Sequence, residues 1–174
     1  TEGGDRYITM TLGTIYADMY EYEESRRRYL QAIDSALEDG ADTFASVAYY
    51  NLSLLERSFY NFEEALSYTG SSIELAERPS GYLAQGELYE QQMDSTRSYG
   101  SYRSAYVLDD ETPLPKLSLA ALYQRYGRLD DALAYTREIL DEENRGWMYN
   151  FGTDLSRHAM DIHGLLSDIY TGLS

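Results

Sequence analysis

The chain has no cysteine. That absence removes disulfides, thiolate nucleophiles and cysteine-based zinc sites together, and leaves the compartment open. Proline is scarce: its three copies, Pro79, Pro113 and Pro115, all stand where a helix could begin and a missing N–H costs little. No apolar run approaches the roughly 20 residues that a membrane span needs, and no signal peptide is visible. Residue 1 is Thr rather than Met, so the expectation is a segment cut from a longer chain, or a processed one. Positive charge is also short, with 14 basic residues against 30 acidic ones, a net charge of −16 and Lys116 as the one lysine. A chain this acidic repels phosphate backbones and anionic lipid, so neither nucleic acid nor a membrane surface is an expected partner. The one basic cluster, Arg26-Arg27-Arg28, lies among Glu23, Glu24 and Asp34 and reads as a salt-bridged, solvated helix face.

Reactive constellations are missing too. There is no G-x-S-x-G elbow and no glycine-rich phosphate loop. The two histidines, His158 and His163, stand five residues apart, whereas a zinc pair on a helix needs i, i+4 spacing. The paired acids Glu23-Glu24, Glu63-Glu64 and Asp130-Asp131 recur at the same phase, which suits helix starts better than acid–base chemistry. No catalytic residue, metal or cofactor is expected.

What the chain does have is a globular share of hydrophobic residues, 43 % of 174, and 19 Tyr against 4 Phe and 1 Trp. Tyr buries a ring while its hydroxyl seeks water or a partner, which suits half-buried positions in a thin protein. Apolar residues recur at helical spacing nearly throughout, as with Tyr29, Leu30, Ile33 and Leu37. No comparable stretch alternates with period two, so the expected class is all-α. The spacing and the turn signals predict helices over 5–18, 21–38, 43–58, 61–77, 81–92, 95–108, 114–126, 129–142 and 153–172.

These helices repeat. Tyr20-Glu21-Tyr22-Glu23-Glu24-Ser25, Tyr60-Asn61-Phe62-Glu63-Glu64-Ala65 and Gly127-Arg128-Leu129-Asp130-Asp131-Ala132 share one pattern: turn residue, any residue, apolar, acid, acid, small. Around it lie Leu12, Gly13, Tyr16, Ser25, Tyr29 and Ala32 in a first copy, and Tyr49, Leu52, Ser53 and Ala65 in a second. A third has Tyr82, Gly86, Tyr89, Ser98, Tyr102 and Ala105, and a fourth Leu119, Ala120, Tyr123, Gly127 and Ala132. This resembles the tetratricopeptide repeat, whose period is 34 residues. The matched positions Gly13, Ser53, Gly86, Ala120 and Ser167 stand 40, 33, 34 and 47 residues apart, the last gap implying an insertion around Trp147. Glu56 departs from the pattern where Tyr is expected, and Thr136 where an aromatic is usual.

The resemblance implies an α-α superhelix: a solenoid of antiparallel helix pairs with a concave side, in one domain covering 1–174. Its repeats would span about 5–40, 43–78, 81–110 and 114–144, with a partial fifth at 153–174. It implies that the first helix of each pair lines the concave side. The inward positions are then Tyr7, Met10, Thr14 and Ala17 in the first copy, and Val47, Tyr50, Leu54 and Arg57 in the second. They are Ser80, Leu83, Glu87 and Glu90 in the third, and Leu114, Leu117, Ala121 and Gln124 in the fourth. The expected partner-binding groove is Tyr7, Met10, Tyr50, Leu54, Leu83 and Leu117, with Glu87 and Glu90 adding negative charge. An apolar strip of this kind marks a binding site unless another segment of the chain covers it. The carboxylate clamp of chaperone-adaptor repeats is not matched, because Met10 and Thr14 stand where it needs Lys and Asn. The expected role is a non-enzymatic protein-interaction scaffold holding a peptide or partner helix with apolar anchors and basic character. The alternative is a sensor or regulatory segment controlling an output domain outside this chain. The expected location is soluble, the cytoplasm ahead of the bacterial periplasm.

Overall fold

The computed structural model describes residues 2–143 and, beyond them, Gly164, Ser167, Asp168 and Thr171. Among the described residues there are eight helices and no strand: α1 (Glu2–Asp18), α2 (Tyr22–Glu38), α3 (Asp42–Ser58), α4 (Phe62–Leu75), α5 (Pro79–Gln91), α6 (Ser95–Leu108), α7 (Pro113–Arg125) and α8 (Leu129–Glu143). Each lies within a few residues of its predicted range. The expected ninth helix falls outside the described residues except at the four positions named, as do Trp147, His158 and His163.

The local reasons for these boundaries are those the sequence offers. Helices α2, α4 and α8 carry Glu23-Glu24, Glu63-Glu64 and Asp130-Asp131 in their first turns, where negative charge complements the helix dipole. Helices α5 and α7 open on Pro79 and Pro113, whose missing N–H is one the helix would leave unpaired anyway.

The chain forms two compact units, Thr1–Ser98 and Tyr99–Ser174. In the first unit each helix packs on the next, α1 on α2, α2 on α3, α3 on α4 and α4 on α5, so helix pairs follow one another in series. Its core is Tyr29, Ile33, Ala48, Leu52 and Leu55, with Met10, Ala17, Tyr22, Leu30, Phe44, Tyr49 and Tyr68 packed around it. Of the α2 set chosen by spacing, Tyr29 and Ile33 are buried and Leu30 is half-buried. Leu37, in the last turn, is exposed.

The small residues of the repeat pattern let helices approach. A Cβ on Gly13 would stand 2.9 Å from the Tyr29 ring, and the buried Ser25 hydroxyl donates to the Gly13 carbonyl at 2.8 Å. Deeper along the unit the Ser46 and Ser72 hydroxyls each donate to the other's carbonyl at 2.8 Å. These bonds satisfy buried hydroxyls where larger side chains would hold the helices apart.

In the second unit α7 packs on α8 around Ala120, Ala132 and Leu133, with Leu117, Tyr123, Leu129 and Tyr135 against them. The position held by Tyr29 in the first repeat and Tyr102 in the third is Thr69 in the second and Thr136 in the fourth. Both Thr side chains are fully buried, and each hydroxyl donates to the carbonyl four residues before it, at 2.8 Å and 2.7 Å. That self-satisfied bond is what allows a polar residue at a core position.

Candidate functional site

The first helices of successive pairs meet in the first unit, α1 touching α3 and α3 touching α5. This face carries most of the residues expected to bind a partner. Tyr7 is exposed, Met10, Tyr50 and Leu54 are half-buried, Glu87 is exposed and Glu90 is half-buried. Leu83 is only 9 % exposed and belongs to the core, so it offers a partner little surface. Leu117 lies in the second unit, half-buried against Ala120 and Leu133. There, too, Gln124 of α7 donates to the Asp168 carboxylate at 3.3 Å.

Between α1 and α3 the face opens into a cavity of about 580 Å³, lined by Tyr7, Met10, Gly40, Ala41, Asp42, Thr43, Phe44 and Val47. Three of these, Tyr7, Met10 and Val47, are inward positions of the repeat pattern. Phe44 was not foreseen, although it stands three residues before Val47 and so shares its helix face, a spacing the sequence does show. Its ring meets that of Tyr7 edge-on with centroids 4.7 Å apart. The Arg6 guanidinium lies 5.7 Å from the Phe44 centroid and donates to Asp39 at 2.9 Å, pinning the rim. The floor is therefore apolar and aromatic, and Asp42 supplies a carboxylate at the edge.

Further along the face, Arg57 of α3 forms an ion pair with Glu87 of α5. Both are inward positions, so the charge expected from Glu87 is matched by its neighbour. Tyr50 stands close by, and burial, with the Glu87 charge adding to it, pushes its hydroxyl pKa up. The hydroxyl stays neutral and can donate a hydrogen bond at any physiological pH. Among the described residues no group of three or more His, Asp or Glu is placed to hold a metal ion, and no helix is long and apolar enough to cross a membrane.

Two of the three arginines of the basic cluster pair with carboxylates. Arg26 donates to Glu56 at 3.1 Å and to Tyr68 at 3.2 Å, Arg27 pairs with Glu24, and Arg28 reaches Gln31 at 3.5 Å.

Comparison with known proteins gives a consistent picture of the fold. No family model matches the chain. A TPR repeat-containing protein of Methanocaldococcus jannaschii is 26 % identical over 100 residues, 58 % of this chain and 18 % of the relative. The chain thus matches less than a fifth of that protein's length. Among solved structures, BtubC from P. vanneervenii superposes with a TM-score of 0.72 at 18 % identity, over 88 % of this chain and 68 % of that one. The Arabidopsis OM64 TPR domain does so with a TM-score of 0.59 at 16 % identity, over 71 % of this chain and 98 % of that domain.

Proposed function

We propose that this chain, an all-α solenoid of helix pairs with the tetratricopeptide-repeat fold, is a non-enzymatic interaction module that seats a segment of another polypeptide on the α1–α3–α5 face of its first unit. The observation that carries this reading is the aromatic cavity between α1 and α3. Packing alone calls for no open volume of about 580 Å³ beside an exposed Tyr7. Its size and apolar floor suit one or two large apolar side chains of a ligand. Asp42 at its edge and the unmatched acidity of the chain favour a ligand that also carries Lys or Arg. No catalytic role is proposed, because no convergent set of polar groups lines the cavity.

The test is a pull-down from source-cell lysate with the wild-type chain beside a Tyr7→Ala/Met10→Ala variant whose circular dichroism shows it folded. A partner captured by the wild type and lost by the variant supports the reading and names the ligand. Capture of the same proteins by both removes the α1–α3 face as the working surface. Attaching the repeats to an output domain, as a sensor would require, adds a second reading that no observation here favours.

A further inference from the structure

Among the described residues, five helix ends are closed by the same pair of backbone bonds. One amide bonds the carbonyl three residues back and the next amide bonds the carbonyl five residues back. The pairs are Tyr20 and Glu21, Gly40 and Ala41, Tyr60 and Asn61, Met93 and Asp94, and Gly127 and Arg128, all with N···O distances of 2.8–3.1 Å. In each pair the first residue sits in the left-handed region, with φ between 58° and 72°. Such a closure favours glycine, and two of the five have it. Tyr20, Tyr60 and Met93 do not, and each side chain accepts backbone strain there. None is compensated by burial: they are 84 %, 80 % and 85 % exposed. Gly127, in phase with them, shows that the closure itself needs no side chain.

These three residues share one edge of the first unit, where the two helices of a pair join. The Tyr22 ring packs on Phe59 with centroids 4.7 Å apart, holding the first turn against the second. Met19 beside Tyr20 is 61 % exposed and Phe59 beside Tyr60 is 37 % exposed, so each of these two turns presents a second apolar side chain. Acids surround them. Asp18, Glu21, Glu23, Glu63 and Glu64 are exposed and have no ion-pair partner among the described residues. At the third turn Asp94, next to Met93, is paired with Arg97 at 2.7 Å. At Tyr20 and Tyr60, large side chains held in a strained backbone conformation, in water, beside unpaired carboxylates, ask for a ligand that supplies both apolar contact and positive charge.

We propose that this edge of the first unit, the turns at Tyr20, Tyr60 and Met93, is a second docking surface, and that it takes a basic polypeptide segment carrying apolar side chains. The apolar side chains lie against Tyr20, Tyr60 and Met93. The Lys or Arg side chains face the carboxylates and stack over the tyrosine rings. The acidity argues against the other occupants: an anionic membrane and a second copy of this chain would both be repelled. The surface is separate from the α1–α3 cavity, since Tyr7 and Tyr20 stand roughly 20 Å apart along α1 at 1.5 Å per residue.

The experiment is calorimetric titration of the whole chain with a short synthetic peptide alternating Arg and Leu, and with its Glu/Leu counterpart. Three proteins are compared: wild type, Tyr20→Gly/Tyr60→Gly, and Tyr7→Ala/Met10→Ala. The glycine variant keeps every acid and relieves the strain, so it is expected to melt no lower than the wild type. It should nevertheless bind the Arg/Leu peptide about tenfold more weakly or worse, as loss of aromatic anchors does. Because the α1–α3 face takes the same class of ligand, the edge site is isolated in the Tyr7→Ala/Met10→Ala variant. That variant should lose the α1–α3 site and still bind the Arg/Leu peptide at the edge, and the Glu/Leu peptide should not bind. Equal binding by the glycine variant overturns the proposal, as does no binding by the wild type. Loss in the Tyr7→Ala/Met10→Ala variant alone transfers the binding to the α1–α3 face and also overturns it. So does self-association of the wild type that the glycine changes abolish, or binding of anionic vesicles that they abolish.

Discussion

Glu56 is the residue at which this chain departs most instructively from its own repeat. The pattern expects Tyr there, and the structure places a carboxylate with essentially no exposure. It is fully used: Tyr22 Oη donates to it at 2.8 Å, Asn61 Nδ2 at 2.8 Å and Arg26 Nε at 3.1 Å. The network joins α2, α3 and the turn before α4, so one residue ties the first pair to the second. Removing it leaves three donors short of a partner. Glu56→Ala should cost about 2–3 kcal/mol in chemical denaturation, below the full figure for a buried pair because Arg26 partly reaches water. Burial first, then the Glu56 hydrogen bond and charge, raise the Tyr22 pKa to about 12, against the opposing effects of Arg26 and Asn61. Gly13 makes the opposite kind of demand, for no side chain at all. Gly13→Ala drives a methyl to 2.9 Å from the Tyr29 ring and should destabilise by about 1–3 kcal/mol, read from the same denaturation curves.

At the scale of elements, the helices were legible because period, acid pairs and prolines all pointed the same way. Acids at the starts of α2, α4 and α8 and prolines at the starts of α5 and α7 lie in the sequence as plain signals. The cavity was legible in part. Tyr7, Met10 and Val47 follow from the repeat register, while Leu83 shares that register and turns out buried, because register gives a direction and not the depth of the neighbouring helix. The left-handed turns were hidden for a different reason. Glycine announces such a turn at Gly40 and Gly127, whereas Tyr20, Tyr60 and Met93 carry no local mark of a positive φ. That difference predicts opposite effects of paired substitutions. Met93→Gly should raise stability by up to about 1 kcal/mol, since its side chain is largely in water and its strain is released. Gly127→Ala should lower stability by about 1 kcal/mol, because it introduces the strain the other turns already carry. Thermal melts of the two variants in parallel decide whether the sign reverses.

Across the whole molecule the abundance of tyrosine sets the response to alkali. Burial raises the pKa of Tyr22 and of Tyr123 to about 12, with a hydrogen bond to Glu56 adding in the first case and one to Tyr99 in the second. Their folded values lie above the ordinary value of 10. The contribution is therefore fully present below pH about 10 and is lost as pH rises towards about 12, where an unfolded chain ionises its tyrosines first. Stability should be level through neutral pH and fall over that alkaline window, with tyrosinate absorbance rising together with unfolding. Tyr22→Phe should make the fall shallower.

The α1–α3–α5 face of the first unit is the proposed seat of a partner segment. Amide hydrogen exchange on the chain, alone and saturated with the segment identified by pull-down, tests it most directly. Slowed exchange is expected in α1 and α3 around Tyr7, Met10, Phe44 and Val47, and absent in the Tyr7→Ala/Met10→Ala variant. Slowed exchange confined to other elements, with α1 and α3 unchanged, would contradict it.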